Sequence, residues 1–285
     1  MYNFPIGAML ESFRLDRSAA IKKAAEIGVN GIQMYATEGQ NSPENLSASD
    51  RKALLDEVKS SGLCFSALCG DLGKGFGNKD LNPELIEKSK RIIDLAKDLE
   101  TDIVTTHIGV VPEDPDHERY KIMQEACFEL AQYADSVNAH FAVETGPEPA
   151  SRLCAFLDTL GSTGVAVNLD PANLVMVSKD DPVKAVHTLK KYIVHTHAKD
   201  GVNLHPVNPE YFFKVFHPAP VDFFKIEYFR ELPLGTGDVD FPNYLKALEE
   251  IGFKGFLTIE REVGETPEKD IRIACDFLRK TISEN

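Results

Sequence analysis

Short runs of apolar and β-branched residues alternate along the chain with longer stretches whose apolar positions recur every three or four residues. The first pattern suits a strand buried on both faces, and the second a helix that lays one stripe on a core. Strands are predicted at 5–10, 31–36, 64–69, 102–108, 140–145, 165–170, 193–197 and 256–260, and amphipathic helices at 18–27, 48–61, 83–99 and 118–137. Glycine punctuates the returns from helix to strand at Gly28, Gly62, Gly161 to Gly164, and Gly252, as a left-handed C-cap requires. An open doubly wound sheet would show the same alternation, but eight successive units favour closure. The expectation is an α/β fold, a single-domain (β/α)8 TIM barrel spanning residues 1–285. Residues 201–233 break the rhythm with five prolines and several aromatics. They predict a long loop that is either a lid or an aromatic flap on the barrel rim or a second subunit, which leaves a homo-oligomer open.

Barrels of this class draw their functional groups from the C-terminal ends of the strands. Four successive predicted strands end on a metal-competent residue: Glu144, Asp170, His197 and Glu260. Any one of these alone reads as a helix cap or a solvated loop residue. Four pointing at one axis predict a site for one divalent metal ion, and three carboxylates with one imidazole suit Mn, Mg or Fe and accept Zn or Co.

Composition narrows the partners. A formal net charge of -14 disfavours nucleic acid, whose phosphates need clustered Lys and Arg. The five cysteines contain no CxxC pair, which predicts reduced thiols in a cytoplasmic protein. No basic-then-apolar leader and no apolar run of membrane-spanning length are visible, so a membrane role is not expected.

The motifs Val143-Glu144, Asn168-Leu169-Asp170-Pro171-Ala172-Asn173-Leu174, His195-Thr196-His197-Ala198-Lys199-Asp200, Pro233-Leu234-Gly235-Thr236-Gly237-Asp238-Val239-Asp240 and Leu257-Thr258-Ile259-Glu260-Arg261-Glu262 together resemble the xylose isomerase-like barrel superfamily, in particular its sugar phosphate isomerase/epimerase branch. The resemblance covers nearly the whole chain. It implies that Glu144, Asp170, His197 and Glu260 hold the cation and that the two glutamates flank a substrate carbon. A metal-dependent isomerase or epimerase of a small sugar, sugar phosphate or related hydroxyketone is therefore expected, working by proton abstraction and a metal-stabilised enediolate. The same quartet would serve a dehydratase or lyase of a sugar-like or hydroxy-keto acid substrate, which is the alternative. An apurinic endonuclease would need more histidine ligands and a basic face. A Schiff-base aldolase would use Lys199 as nucleophile, and a non-catalytic sugar-binding module would exchange no substrate proton.

His195 and His197 share one face of a strand, and His197 matches the liganding position, leaving His195 as a core histidine. His107, Glu148, Asn173, Lys199 and Glu262 are the candidate substrate-binding residues. Rival roles remain open, a buried histidine for His107, an ordinary ion pair with Asp200 for Lys199, and support of the neighbouring ligands for Glu148 and Asn173. Arg261 and Glu262 either orient Glu260, contact substrate or form a surface salt bridge. Gly235-Thr236-Gly237 is expected to be a turn leading to Asp240, a cap for a helix at 244–251.

Overall fold

The computed structural model describes residues 2–212 and 219–284. Eight parallel strands, β1 (Ile6–Met9), β2 (Gly31–Tyr35), β3 (Cys64–Cys69), β4 (Ile103–Thr106), β5 (His140–Glu144), β6 (Val165–Leu169), β7 (Ile193–Ala198) and β10 (Leu257–Ile259), close into a barrel. The ring closes where Ile6 pairs with Leu257 and Ala8 with Ile259. The fold is the expected (β/α)8 barrel, a single domain with helices around the sheet. Among the described residues no helix is long and apolar enough to cross a membrane.

Local chemistry sets the helix boundaries. Asp16 accepts from the Ala19 amide to start helix Arg17–Ile27, and Gly28 ends it at φ 82°. Ser47 and Asp50 form a reciprocal capping box on helix Ala48–Ser60. Asp181 caps Pro182–Leu189, with proline in the first turn, where its missing N–H costs nothing. Asp240 does cap the helix after the Gly235–Gly237 turn, but that helix runs Phe241–Glu250 and so begins three residues before the expected start. The buried stripes of these helices, such as Leu85, Ile92, Ile93 and Ala96 on Asn82–Asp98, complete one continuous apolar shell around the barrel.

Two expectations change. The fourth strand stops at Thr106, so His107 stands beyond it on a loop rather than at a strand end. Residues 201–233 are not irregular throughout: β8 (Asp200–Asn203) and β9 (Phe229–Leu232) pair antiparallel, Asp200 opposite Leu232 and Asn203 opposite Phe229. The middle of the expected lid, residues 213–218, lies outside the described residues.

Asp200 anchors this hairpin. Its buried carboxylate accepts from the amides of Gly201, Gly235, Gly237 and Val239 at 2.9, 2.9, 2.9 and 3.2 Å. A Cβ on Gly237 would lie 2.2 Å from Asp200 Oδ1, so only glycine permits the approach. Hydrogen bonds to a charged acceptor contribute about 1.5–3 kcal/mol each, and the orphaned amides can partly rehydrate. Asp200→Ala is thus expected to cost roughly 2–4 kcal/mol, read as a lowered urea midpoint at unchanged m-value.

Candidate metal centre and cavity

β5, β6, β7 and β10 each deliver one group at or just past the C-terminal end: Glu144, Asp170, His197 and Glu260. All four are buried, and each offers a ligand atom within 4.8 Å of the others. His197 Nδ1 lies 3.3 Å from Asp170 Oδ2, 3.3 Å from Glu260 Oε2 and 3.6 Å from Glu144 Oε2. Three carboxylates withdrawn from water into so small a volume repel one another unless positive charge joins them. The donor set, hard oxygens with one imidazole nitrogen, fits a divalent metal ion.

The orientation of the His197 ring is set from below. Gln33 of β2 is fully buried, and its Nε2 donates to Thr105 Oγ1 at 2.9 Å, which turns Oε1 toward the histidines. That oxygen lies 3.2 Å from His197 Nε2 and can accept from it, which leaves Nδ1 turned toward the carboxylates, to bond them when protonated and to bind a metal ion when not. His195 Nε2 reaches the same oxygen at 3.1 Å. Burial, with the neighbouring His197, drives His195 well below its usual range and keeps it neutral. For His197 burial disfavours the charged ring, but Glu260, Glu144 and Asp170 outweigh it and raise its proton affinity. A metal ion would compete for that same site. Gln33 was missed in the sequence, although a lone amide inside Gly31-Ile32-Gln33-Met34-Tyr35 is the kind of polar break that marks a buried polar contact.

The two glutamates are held differently. Asn173 Nδ2 donates to Glu144 Oε1 at 2.8 Å and Asn168 Nδ2 to Oε2 at 3.3 Å. Gly146, at φ 140°, makes room for this: a Cβ there would sit 2.5 Å from Asn173 Cβ. Glu260 Oε2 instead receives Lys199 Nζ at 3.0 Å, and the same ammonium bonds Glu262. Burial pushes the Glu260 carboxyl up, but Lys199 and His197 reverse the effect and hold it well below the ordinary carboxylate range. Lys199 therefore pairs with Glu260 and Glu262 and not with Asp200. Burial lowers its proton affinity, and the surrounding carboxylates more than restore it. Arg261 turns away from the centre to bind Glu231 at 2.6 Å and Asp270 at 2.8 Å, a largely buried pairing rather than a surface one.

Above the cluster opens a cavity of about 940 Å³, lined in part by Glu144, Glu260, His107, Asn173, Lys199 and Glu262. His107 Nδ1 lies 3.1 Å from Asp71 Oδ2, and its Nε2 lies 3.8 Å from Glu144 Oε1. Burial opposes a charged ring there, but Glu144 and Asp71 prevail and raise His107 to about 9. Asp71, on the loop after β3, also went unrecognised, because nothing local connects it to a histidine 36 residues on.

Glu148 does not reach the cavity. It is buried outside the cavity lining, and Oε2 accepts from the Val111 amide at 3.0 Å, bracing the loop after β4 from behind. Desolvation raises it to about 7. A carboxyl whose folded pKa exceeds its unfolded value contributes stability that is full below about 4.5 and lost as pH rises through about 7. Glu148→Gln keeps an acceptor for Val111 and removes the titration. Relative to the parent, the variant is expected to gain roughly 1–3 kcal/mol in urea unfolding between pH 5 and pH 8.

The model of the xylose isomerase-like TIM barrel matches residues 21–281. The chain belongs to this family. Among solved structures it is similar to a xylose isomerase domain protein from Planctomyces limnophilus, 24% identical with TM-score 0.79, covering 99% of this chain and 98% of that one. It is also similar to a D-tagatose 3-epimerase-like protein, 18% identical with TM-score 0.73, covering 98% of each chain. The probable 3-DHS dehydratase AsbF of petrobactin synthesis from Bacillus anthracis is 17% identical with TM-score 0.73, covering 96% of this chain and 98% of that one. No curated protein matches the sequence. Identities this low establish the barrel, and its family members differ in the reaction their names describe.

Proposed function

We propose that this family member is a metal-dependent isomerase or epimerase of a small sugar or sugar-like hydroxyketone. The observation that carries the reading is the pair Glu144 and Glu260, on strands separated by β6 and β7, at the floor of one cavity with Asp170 and His197 between them. Glu144, Asp170, His197 and Glu260 would hold the ion, His197 through Nδ1. A divalent ion there supplies Lewis acidity toward neighbouring hydroxyl and carbonyl oxygens, which acidifies the C–H bond beside them.

Glu144, held in place by the side-chain amides of Asn168 and Asn173, takes the proton. Return of a proton on the opposite face requires Glu260 to carry one taken up from solvent, because the Lys199 ammonium in contact with it keeps its own proton and favours the ionised carboxylate. Return at the adjacent carbon from Glu144 exchanges aldose and ketose instead. Asn173, Lys199, His107 and Glu262 line the cavity where substrate hydroxyls would lie. The ion pairing of Lys199 opposes a Schiff-base role, since that nucleophile needs a depressed pKa.

One observation favours a second reading, dehydration. The Asp71–His107 pair places a protonated imidazole on the cavity wall close to Glu144, where it can protonate a departing β-hydroxyl. Incubating metal-loaded enzyme with ketoses, aldoses and hydroxy-keto acids in deuterated water separates the readings. Epimerisation or isomerisation incorporates deuterium at the reacting carbon of a sugar product, whereas dehydration yields an unsaturated or deoxy product. Absence of both in a metal-loaded sample overturns the enzymatic reading.

A further inference from the structure

The cavity is large for the chemistry at its floor. At about 940 Å³ it reaches the upper end of the roughly 300–1,000 Å³ range that houses drug-sized ligands, several times the volume of a single sugar. Beyond the cluster, its walls become apolar. Leu81 at the head of helix Asn82–Asp98, Val110 after β4, Phe212 and Phe229 all line it, and Leu81 and Phe212 leave 42% and 40% of their surface exposed. Phe212 and Phe229 meet edge to face with centroids 5.1 Å apart, which makes an aromatic wall against which a ring can lie. A single sugar bound at the cluster would leave this wall in water.

Charge argues against a phosphate as the second group. Six carboxylates line the cavity, Asp71, Glu144, Glu227, Glu231, Glu260 and Glu262, with Asp170 just behind them. The cations are Lys74, Arg119, Lys199 and Arg230. Glu210 holds Arg119, Glu260 and Glu262 hold Lys199, and Glu227 takes Arg230 through two bonds of 2.6 Å. Lys74 has no carboxylate partner among the described residues, but against six lining carboxylates and Asp170 a divalent ion and a charged His107 leave no net positive surplus for a phosphate dianion. The loop Gly73-Lys74-Gly75-Phe76-Gly77 looks like an anion cradle in sequence, but its glycines answer other needs. Asp71 Oδ1 already occupies the Gly73 amide, a Cβ on Gly75 would lie 2.7 Å from the Ile108 carbonyl, and one on Gly77 would strike the Arg119 stem.

We propose that the substrate is an uncharged glycoside, its hydroxyketone portion at the carboxylate–imidazole cluster and its second ring against Leu81, Phe212 and Phe229. The proposal rests on the sugar-processing reading for the orientation of the substrate, but its binding test does not require turnover. Manganese-loaded enzyme is titrated calorimetrically with fructose, with fructose 6-phosphate, and with four disaccharides that carry glucose on a fructose unit through O3, O4, O5 or O6 (turanose, maltulose, leucrose and isomaltulose). At least one disaccharide is expected to bind about tenfold or more tighter than fructose, and fructose 6-phosphate more weakly than fructose. Leu81→Ala and Phe229→Ala should each erase most of the disaccharide gain and leave fructose affinity within about twofold. Tightest binding by fructose 6-phosphate overturns the proposal, as does equal affinity for fructose and every disaccharide, or no binding by any disaccharide.

Deuterium incorporation from solvent, followed on the same sugars, keeps the two readings apart. Exchange in fructose without a disaccharide preference sinks the glycoside and keeps the isomerase. A disaccharide preference without exchange or product does the reverse.

Discussion

Asp170→Asn is expected to lower metal affinity by at least about 100-fold while the barrel stays folded. The substitution isolates charge from structure. Asp170 Oδ1 accepts from the Asn173 amide at 2.8 Å, and an asparagine oxygen can keep that bond and the short turn it starts. What disappears is the carboxylate Oδ2 that faces His197 Nδ1 at 3.3 Å. In the parent, a ligand present at about 1,000 times its Kd adds roughly 4 kcal/mol of stability, so manganese should raise Tm by several degrees. The variant should show little or no such rise at the same concentration. A chelated parent should likewise lose activity yet retain its far-UV spectrum, because the apolar shell and the strand ladder hold the barrel. An unchanged manganese-induced Tm rise in Asp170→Asn would remove Asp170 from the ligand set.

The sequence made legible whatever depends on short-range periodicity. Eight strands were readable because each is a brief apolar run, and the quartet because each of its members follows directly on such a run. Boundaries drifted where polar and apolar residues mix, as at Thr106-His107, where two polar side chains end the ladder before the β-rich composition does. The β8–β9 hairpin escaped because its partners lie about 30 residues apart and neither strand alternates enough to announce a buried face. Gln33, Asp71 and the four-amide clasp of Asp200 escaped for a related reason. Each is an ordinary polar residue whose role exists only once distant loops meet. Lys199 shows the converse: adjacency to Asp200 suggested an ion pair, whereas the fold sends the two side chains to opposite tasks, one to Glu260 and Glu262 and the other to backbone amides.

Glu144→Gln is expected to reduce turnover by about 10³-fold or more, and Glu260→Gln by at least about 10²-fold, each measured on metal-saturated enzyme. The glutamine keeps the size and one ligand oxygen but cannot accept a proton. At Glu144 two asparagine side chains donate to the carboxylate. A glutamine there presents one oxygen and one NH2, so it retains only one of those bonds and loses the base outright. Exchange of the substrate C–H with deuterated solvent should vanish along with turnover. At Glu260 the lost charge also leaves the buried Lys199 ammonium with Glu262 as its remaining carboxylate partner, so proton return should suffer more than proton removal. The Glu260→Gln enzyme should therefore still wash deuterium into substrate, at a reduced rate, while forming little epimer. That asymmetry separates a two-face mechanism from one in which Glu144 alone carries the proton between adjacent carbons, where exchange and turnover would fall together. Near-parental turnover and exchange in either variant, with metal bound, would show that the glutamate concerned moves no proton.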